Sequence, residues 1–171
     1  DKCWIEQEHV APYANGTERC SGAITKWHEL KQYNQFVNVQ GDMPDITLQM
    51  IERCIEWLQY YPISTVWTDM PKEMQNNPDS VKMVRAGDQC LWFGRGMTGY
   101  GHWHLGIYGY RRNALELYSN LEVTEEETIE QLEQLRWLKS GWQIGCSSVY
   151  FKGIEINSPE DVDIWHKQNS Q

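Results

Sequence analysis

Residues 36–44 read Phe36-Val37-Asn38-Val39-Gln40-Gly41-Asp42-Met43-Pro44, a short β-rich run that ends on turn residues. Phe and Val fit a half-buried strand, and Gly41 with Pro44 stops it. A helix signal follows at once. Asp45 is a candidate N-cap, Met50, Ile51, Cys54, Ile55 and Leu58 recur at helical spacing, and Pro62 closes the segment. A second apolar run, Ile63 to Thr68, begins directly after it. Strand, helix and strand within about thirty residues predict a right-handed parallel crossover in an open α/β sheet.

Working outward, residues 3–10 have irregular strand character, and residues 11–17 read as a loop on Pro12, Asn15 and Gly16. Ile24, Trp27 and Leu30 then fall at helical spacing. Downstream, residues 81–85 and 89–93 flank Ala86-Gly87-Asp88, a link that predicts a hairpin and makes the sheet mixed. Residues 104–110 predict a further strand. A single helix is predicted over 124–140: Thr124 and Glu127 form a capping box, Glu125 and Glu126 suit the helix start, and Gly141 ends it. Its buried stripe is Ile129, Leu132, Leu135 and Leu138, and Glu125, Glu126, Glu127 and Glu130 are expected to be solvated. A last β segment falls within 142–151, and Ser158-Pro159 starts a terminal helix.

The chain has 171 residues, enough for one domain with a real core and too few for two comfortable ones. A formal net charge of -9 disfavours a nucleic-acid partner, because a phosphate backbone attracts clustered Lys and Arg. Five cysteines without a CxxC pair argue against both a disulfide framework and a zinc site. With no apolar run of membrane-spanning length, the expected location is the cytoplasm, with no membrane partner.

In an open α/β sheet, ligands bind beyond the carboxyl ends of the strands, where Asp42 is expected. One or two carboxylates suffice to anchor a nucleotide-bound Mg²⁺, although turn chemistry is the plainer explanation of Gly41-Asp42. His104 and Tyr108 are four apart on a strand and so share a face, with Gly106 leaving a recess between them. A core histidine and a packed tyrosine are the plainer alternative. His102 and His104 lack a third zinc ligand. Arg19 is suited to a carboxylate through its planar fork, but a lone arginine is weak evidence.

Six ordered motifs carry a resemblance. Asn15-Gly16-Thr17-Glu18-Arg19 resembles SGTDR, residues 37–44 resemble VNVQGDEP, and residues 78–84 with 91–95 resemble NPNVVKVV and LYFSR. HLGIYGYR at 104–111 is similar to HIGIYAYR, LEQLRWL at 132–138 to LEQLRVL, and INSPEDV at 156–162 to VDTPEDL. These are the motifs of the 3-deoxy-manno-octulosonate cytidylyltransferases, or CMP-Kdo synthetases, and six in order is a far more specific signal than any one.

The resemblance implies an α/β, Rossmann-like nucleotide-diphospho-sugar transferase fold with a mixed, mostly parallel sheet. It implies attack by the anomeric hydroxyl of a 2-keto sugar acid on the α-phosphate of CTP, for surface polysaccharide or lipopolysaccharide synthesis. By position, Asp42 would hold Mg²⁺, Arg19 would join it as catalytic, and Gln40, His104, Tyr108, Glu133 and Gln134 would bind substrate. Three departures accompany the likeness. The family's opening strand and basic CTP-binding loop have no counterpart before Asp1, so the expected domain is N-terminally incomplete. The family's second metal-binding Asp falls on Asn157, for which Glu155 is the possible substitute. The stretch between Arg95 and His104 is short where the family builds dimer contacts, which leaves a homodimer as a possible assembly. A catalytically inactive relative that binds a sugar acid or a protein is the alternative function.

Overall fold

The computed structural model describes residues 13–169, so the strand character expected over 3–10, with Cys3, lies outside the described residues. Helix α1 (Gly16–Lys26) opens on Asn15, whose side chain accepts from the Glu18 amide, and a 3₁₀ turn (His28–Gln32) leads to β1 (Gln35–Val39). The decisive unit follows as expected: β1, α2 (Leu48–Trp57) and β2 (Ile63–Thr68). Thr47, not Asp45, caps α2 by accepting from the Met50 amide. Asp45 instead accepts from the Trp165 indole at 2.8 Å and ties the C-terminal helix to this loop.

The hairpin of β3 (Lys82–Ala86) and β4 (Gln89–Gly94) turns through Gly87 at φ +59°, a left-handed conformation that favours glycine. The long strand β5 (His102–Arg111) runs into α3 (Arg112–Tyr118), and β6 (Ile144–Ser148) precedes α6 (Pro159–Asn169). Strand order is β1-β5-β2-β6-β4-β3, with β3 also touching the start of β5.

The expected mixture of strand directions is present, but its parallel majority is not found in the described ladders. Strands β1, β2, β3 and β6 point one way, yet β5 is inserted between β1 and β2, and β4 between β6 and β3. Only the β2–β6 ladder is parallel among the described residues. The crossover connects two strands of like direction that never hydrogen-bond to each other.

Alternation along β5 separates two cores. Trp103, Leu105 and Ile107 pack with Met50 and Cys54 of α2, while Tyr108 and Tyr110 join Leu115 of α3 and Leu135 and Trp137 on the other face. No helix among the described residues is long and apolar enough to cross a membrane. Cys54, Cys90 and Cys146 are free thiols.

The helix expected over 124–140 is two helices, α4 (Glu125–Glu130) and α5 (Gln134–Lys139). Thr124 caps α4 by accepting from the Glu127 amide, but Gln131 enters the left-handed region (φ 54°, ψ 47°) and stops it. The break turns the expected stripe out of line: Leu132 and Leu135 are buried, while Ile129 is 70% exposed.

Candidate functional site

A cavity of about 410 Å³ opens at the carboxyl end of β1. Gln40 and Asp42 enter it as the chain leaves β1, His104, Gly106 and Tyr108 from β5, Glu133 and Gln134 from the start of α5, and Glu155 and Asn157 from the segment before α6. Eight of the nine residues singled out in the sequence therefore meet in one space.

The recess expected at Gly106 is occupied by a partner. A Cβ there would lie 2.5 Å from Gln40 Oε1, so glycine is what lets Gln40 fold across β5. Beside it, β5 carries two extra residues relative to β2, since Thr65 pairs with Tyr108 and Val66 with Leu105. The irregularity bends the strand where the cavity forms.

His104 and Tyr108 share the expected face, with ring centroids 5.1 Å apart. Thr65 Oγ1 donates to the Ile107 carbonyl at 2.8 Å, so the 2.9 Å contact with His104 Nε2 is donated by the imidazole, leaving Nδ1 as an acceptor. Burial, assisted by the Arg95 charge, pulls the His104 pKa down to about 3. His104 is thus a neutral hydrogen-bonding group over the ordinary pH range rather than a proton shuttle. Burial raises the Tyr108 hydroxyl well above its usual value.

Glu133 lines the cavity, but its carboxylate is engaged. It accepts from the Gly16 and Thr17 amides at 3.0 and 2.9 Å and from Thr17 Oγ1 at 2.6 Å, and so grips the first turn of α1. Burial raises its carboxyl and the Thr17 bonds oppose that shift. Gln134 differs: it is 3% exposed, and its Nε2 has no hydrogen-bond partner among the described residues. A buried donor without an acceptor is costly and suits a ligand oxygen.

Glu155 is drawn to Asp42 by backbone, because the Ile156 amide donates to the Asp42 carbonyl at 2.8 Å. Burial pushes the Glu155 carboxyl up, the Trp103 indole opposes this, and the Asp42 charge pushes it further up. Two carboxylates in one cavity, one destabilised by the other's charge, fit a divalent cation. Among the described residues no cluster of three or more His, Cys, Asp or Glu forms a closed metal cage. Mg²⁺ on a nucleotide does not need one.

Arg19 is the exception. It lies on α1, where Asn15 and Glu18 line the cavity and Arg19 does not, since one helical step turns it about 100° from Glu18. The cavity's arginines are instead Arg95 and Arg136. Arg136 is 3% exposed, donates to both oxygens of Glu127 at 2.8 and 2.6 Å, and donates to Glu18 at 3.0 Å. Glu127 is thus a buried partner, not the solvated residue expected. Arg95 forms no ion pair among the described residues; its Nη1 donates to the Asp79 carbonyl at 2.5 Å. Arg95 already stood in the LYFSR-like motif, which could have singled it out.

No protein-family profile matches the chain. Its relatives are informative: it is 33% identical over 168 residues to 8-amino-3,8-dideoxy-manno-octulosonate cytidylyltransferase of Shewanella halifaxensis, covering 90% of this chain and 68% of that protein. The chain belongs to the 3-deoxy-manno-octulosonate cytidylyltransferase family. The mitochondrial 3-deoxy-manno-octulosonate cytidylyltransferase of Arabidopsis thaliana is 32% identical across 87% of the chain, which spans 56% of that protein's length. In three dimensions the chain is similar to a CMP:2-keto-3-deoxy-manno-octonic acid synthetase solved with CTP, at a TM-score of 0.83 and 26% identity, covering 93% of this chain and 69% of that one. A glucose-1-phosphate thymidylyltransferase from Bacillus anthracis, at 10% identity and a TM-score of 0.60, shares the fold. The Rossmann-like transferase architecture expected of the cytidylyltransferase family is thus present in this member, antiparallel insertions included.

Proposed function

We propose that the chain supplies the sugar-acid side of a cytidylyltransferase site, at which the anomeric hydroxyl of a 2-keto sugar acid attacks the α-phosphate of CTP and pyrophosphate leaves. The product, a CMP-activated sugar acid, is a donor for surface polysaccharide such as lipopolysaccharide. The observation that carries this reading is the shared cavity: Asp42 and Glu155 lie in the same space as the His104–Tyr108 face of β5.

In this reading Arg95 takes the sugar carboxylate, because it is the lining arginine whose charge is not neutralised by a buried partner. Gln134 Nε2 donates to a sugar oxygen, and His104 Nδ1 accepts from a sugar hydroxyl. Gln40, laid across Gly106, fixes one wall. Glu133 acts through α1 rather than on substrate. Asp42 and Glu155, with the Asn157 amide oxygen, would hold Mg²⁺, which when bound neutralises charge on the phosphate oxygens. The residues named here bind and orient; in-line phosphoryl transfer needs positioning and charge stabilisation more than covalent help.

The test combines calorimetric titration of the chain with 3-deoxy-manno-octulosonate and an assay of pyrophosphate release with CTP, Mg²⁺ and the sugar acid. Release that requires both substrates supports the enzyme. Sugar-acid binding without release supports the alternative binding module, which Asn157 in place of an Asp favours, and absence of binding contradicts both.

A further inference from the structure

Outside the ligand-facing side chains, two charges of opposite sign meet the backbone of one residue. Lys82 on β3 is fully buried, an uncommon setting for a lysine. Its ammonium donates to the carbonyls of Asn77 at 2.6 Å, Ser80 at 2.9 Å and Arg95 at 2.7 Å, which uses all three of its protons. On the other side, Glu130 Oε2 at the end of α4 accepts from the Arg95 amide at 2.6 Å and the Gly96 amide at 3.0 Å. A cation therefore holds the Arg95 carbonyl and an anion holds its amide.

We propose that Lys82 and Glu130 are positioning residues that clamp the Arg95 backbone and so present its guanidinium to the sugar acid's carboxylate. The idea rests on the assignment of Arg95 above. A methionine at 82 would fill similar space but leave three carbonyls without their donor, and the loops at 77–80 and 94–96 would lose their common anchor. The left-handed residue Gln131 contributes indirectly, because it ends α4 directly after Glu130. The clamp thus links a hairpin strand, a short helix and the residue between β4 and β5.

The test uses the whole chain with Glu130→Ala, Glu130→Gln, Lys82→Met and Arg95→Ala. In Glu130→Ala, amide exchange at Arg95 in the ligand-free chain accelerates, and the Kd for 3-deoxy-manno-octulosonate rises roughly tenfold, in keeping with the cost of small misplacements. Glu130→Gln, which keeps an acceptor, recovers most of both. Lys82→Met behaves like Glu130→Ala if it folds; Glu130→Ala, on a half-buried side chain, decides the matter if it does not. Unchanged Arg95 exchange in Glu130→Ala overturns the clamp. So does faster exchange with a Kd within about twofold of wild type, while Arg95→Ala still loses binding; the functional reading then survives. If Arg95→Ala binds as wild type does, or wild type does not bind, the assignment of Arg95 fails and the clamp's purpose with it.

Discussion

The two ends of β5 carry similar residues and treat them in opposite ways. At its far end Arg111 donates to the carbonyls of Leu58 and Gln59 at 2.7 and 2.8 Å, and Arg112 donates to those of Leu30 and Tyr33. These guanidiniums are consumed in closing the fold, although the groove around them, at about 730 Å³, is larger than the cavity at the near end. At the near end Gln134 keeps a buried donor unpaired and Arg95 keeps its charge unneutralised among the described residues. Size does not distinguish a site from a crevice here; unsatisfied polar groups do.

The largest expected effect sharpens that contrast at its arginines. Arg95→Ala raises the sugar-acid Kd by roughly ten- to a hundredfold, the worth of one charge-assisted hydrogen-bonded contact, with little change in Tm. Arg111→Ala does the reverse, lowering stability by about 1–3 kcal/mol in urea unfolding and leaving the Kd unchanged. Next come the glycines of the same strand. Gly106→Ala displaces Gln40 and weakens sugar-acid binding by roughly tenfold, at small cost to stability because a flexible side chain can move away. Gly109→Ala meets Ser64 and Leu58 in the core and costs about 1–3 kcal/mol of stability instead.

The last effect is electrostatic and vanishes at neutral pH. Folded His104 protonates near 3 and the unfolded imidazole near 6.5, so the unfolded chain binds more protons across that window. His104 therefore makes stability fall as pH drops from about 6.5 toward 3, by at most about 1.4 kcal/mol per pH unit, and His104→Gln flattens the slope. Nitrogen NMR should show an unprotonated ring, with the hydrogen on Nε2, from pH 8 to pH 5. A titration near 6.5 would contradict this.

Local chemistry carried most of what the sequence disclosed. The strand and turn at 36–44, the Gly87 hairpin and the Thr124 cap each depend on residues a few positions apart, and each appears where expected. What stayed hidden depends on distant partners. Ile129, Leu132, Leu135 and Leu138 keep helical spacing straight through the break at Gln131, so periodicity cannot register it. Glu127 and Glu130 look alike in sequence, yet one meets Arg136 and the other the amides at 95 and 96. Asp45 was eligible as a cap, but Trp165, far along the chain, claims it. For the site, motif likeness named residues that share one cavity, whereas their division of labour follows from contacts: Glu133 holds α1, Arg19 does not line the cavity, and Arg95 takes the place proposed for a substrate anchor.

The proposed function requires a sugar acid at the near end of β5, within reach of Asp42 and Glu155. Titrating isotope-labelled chain with 3-deoxy-manno-octulosonate and following backbone amides tests this most directly. Shifts concentrated at Gln40, Asp42, Gly106 and Gln134, with Asn34, Gln59 and Asn113 still, are the expected result. Shifts centred on the Arg111–Arg112 groove would contradict it.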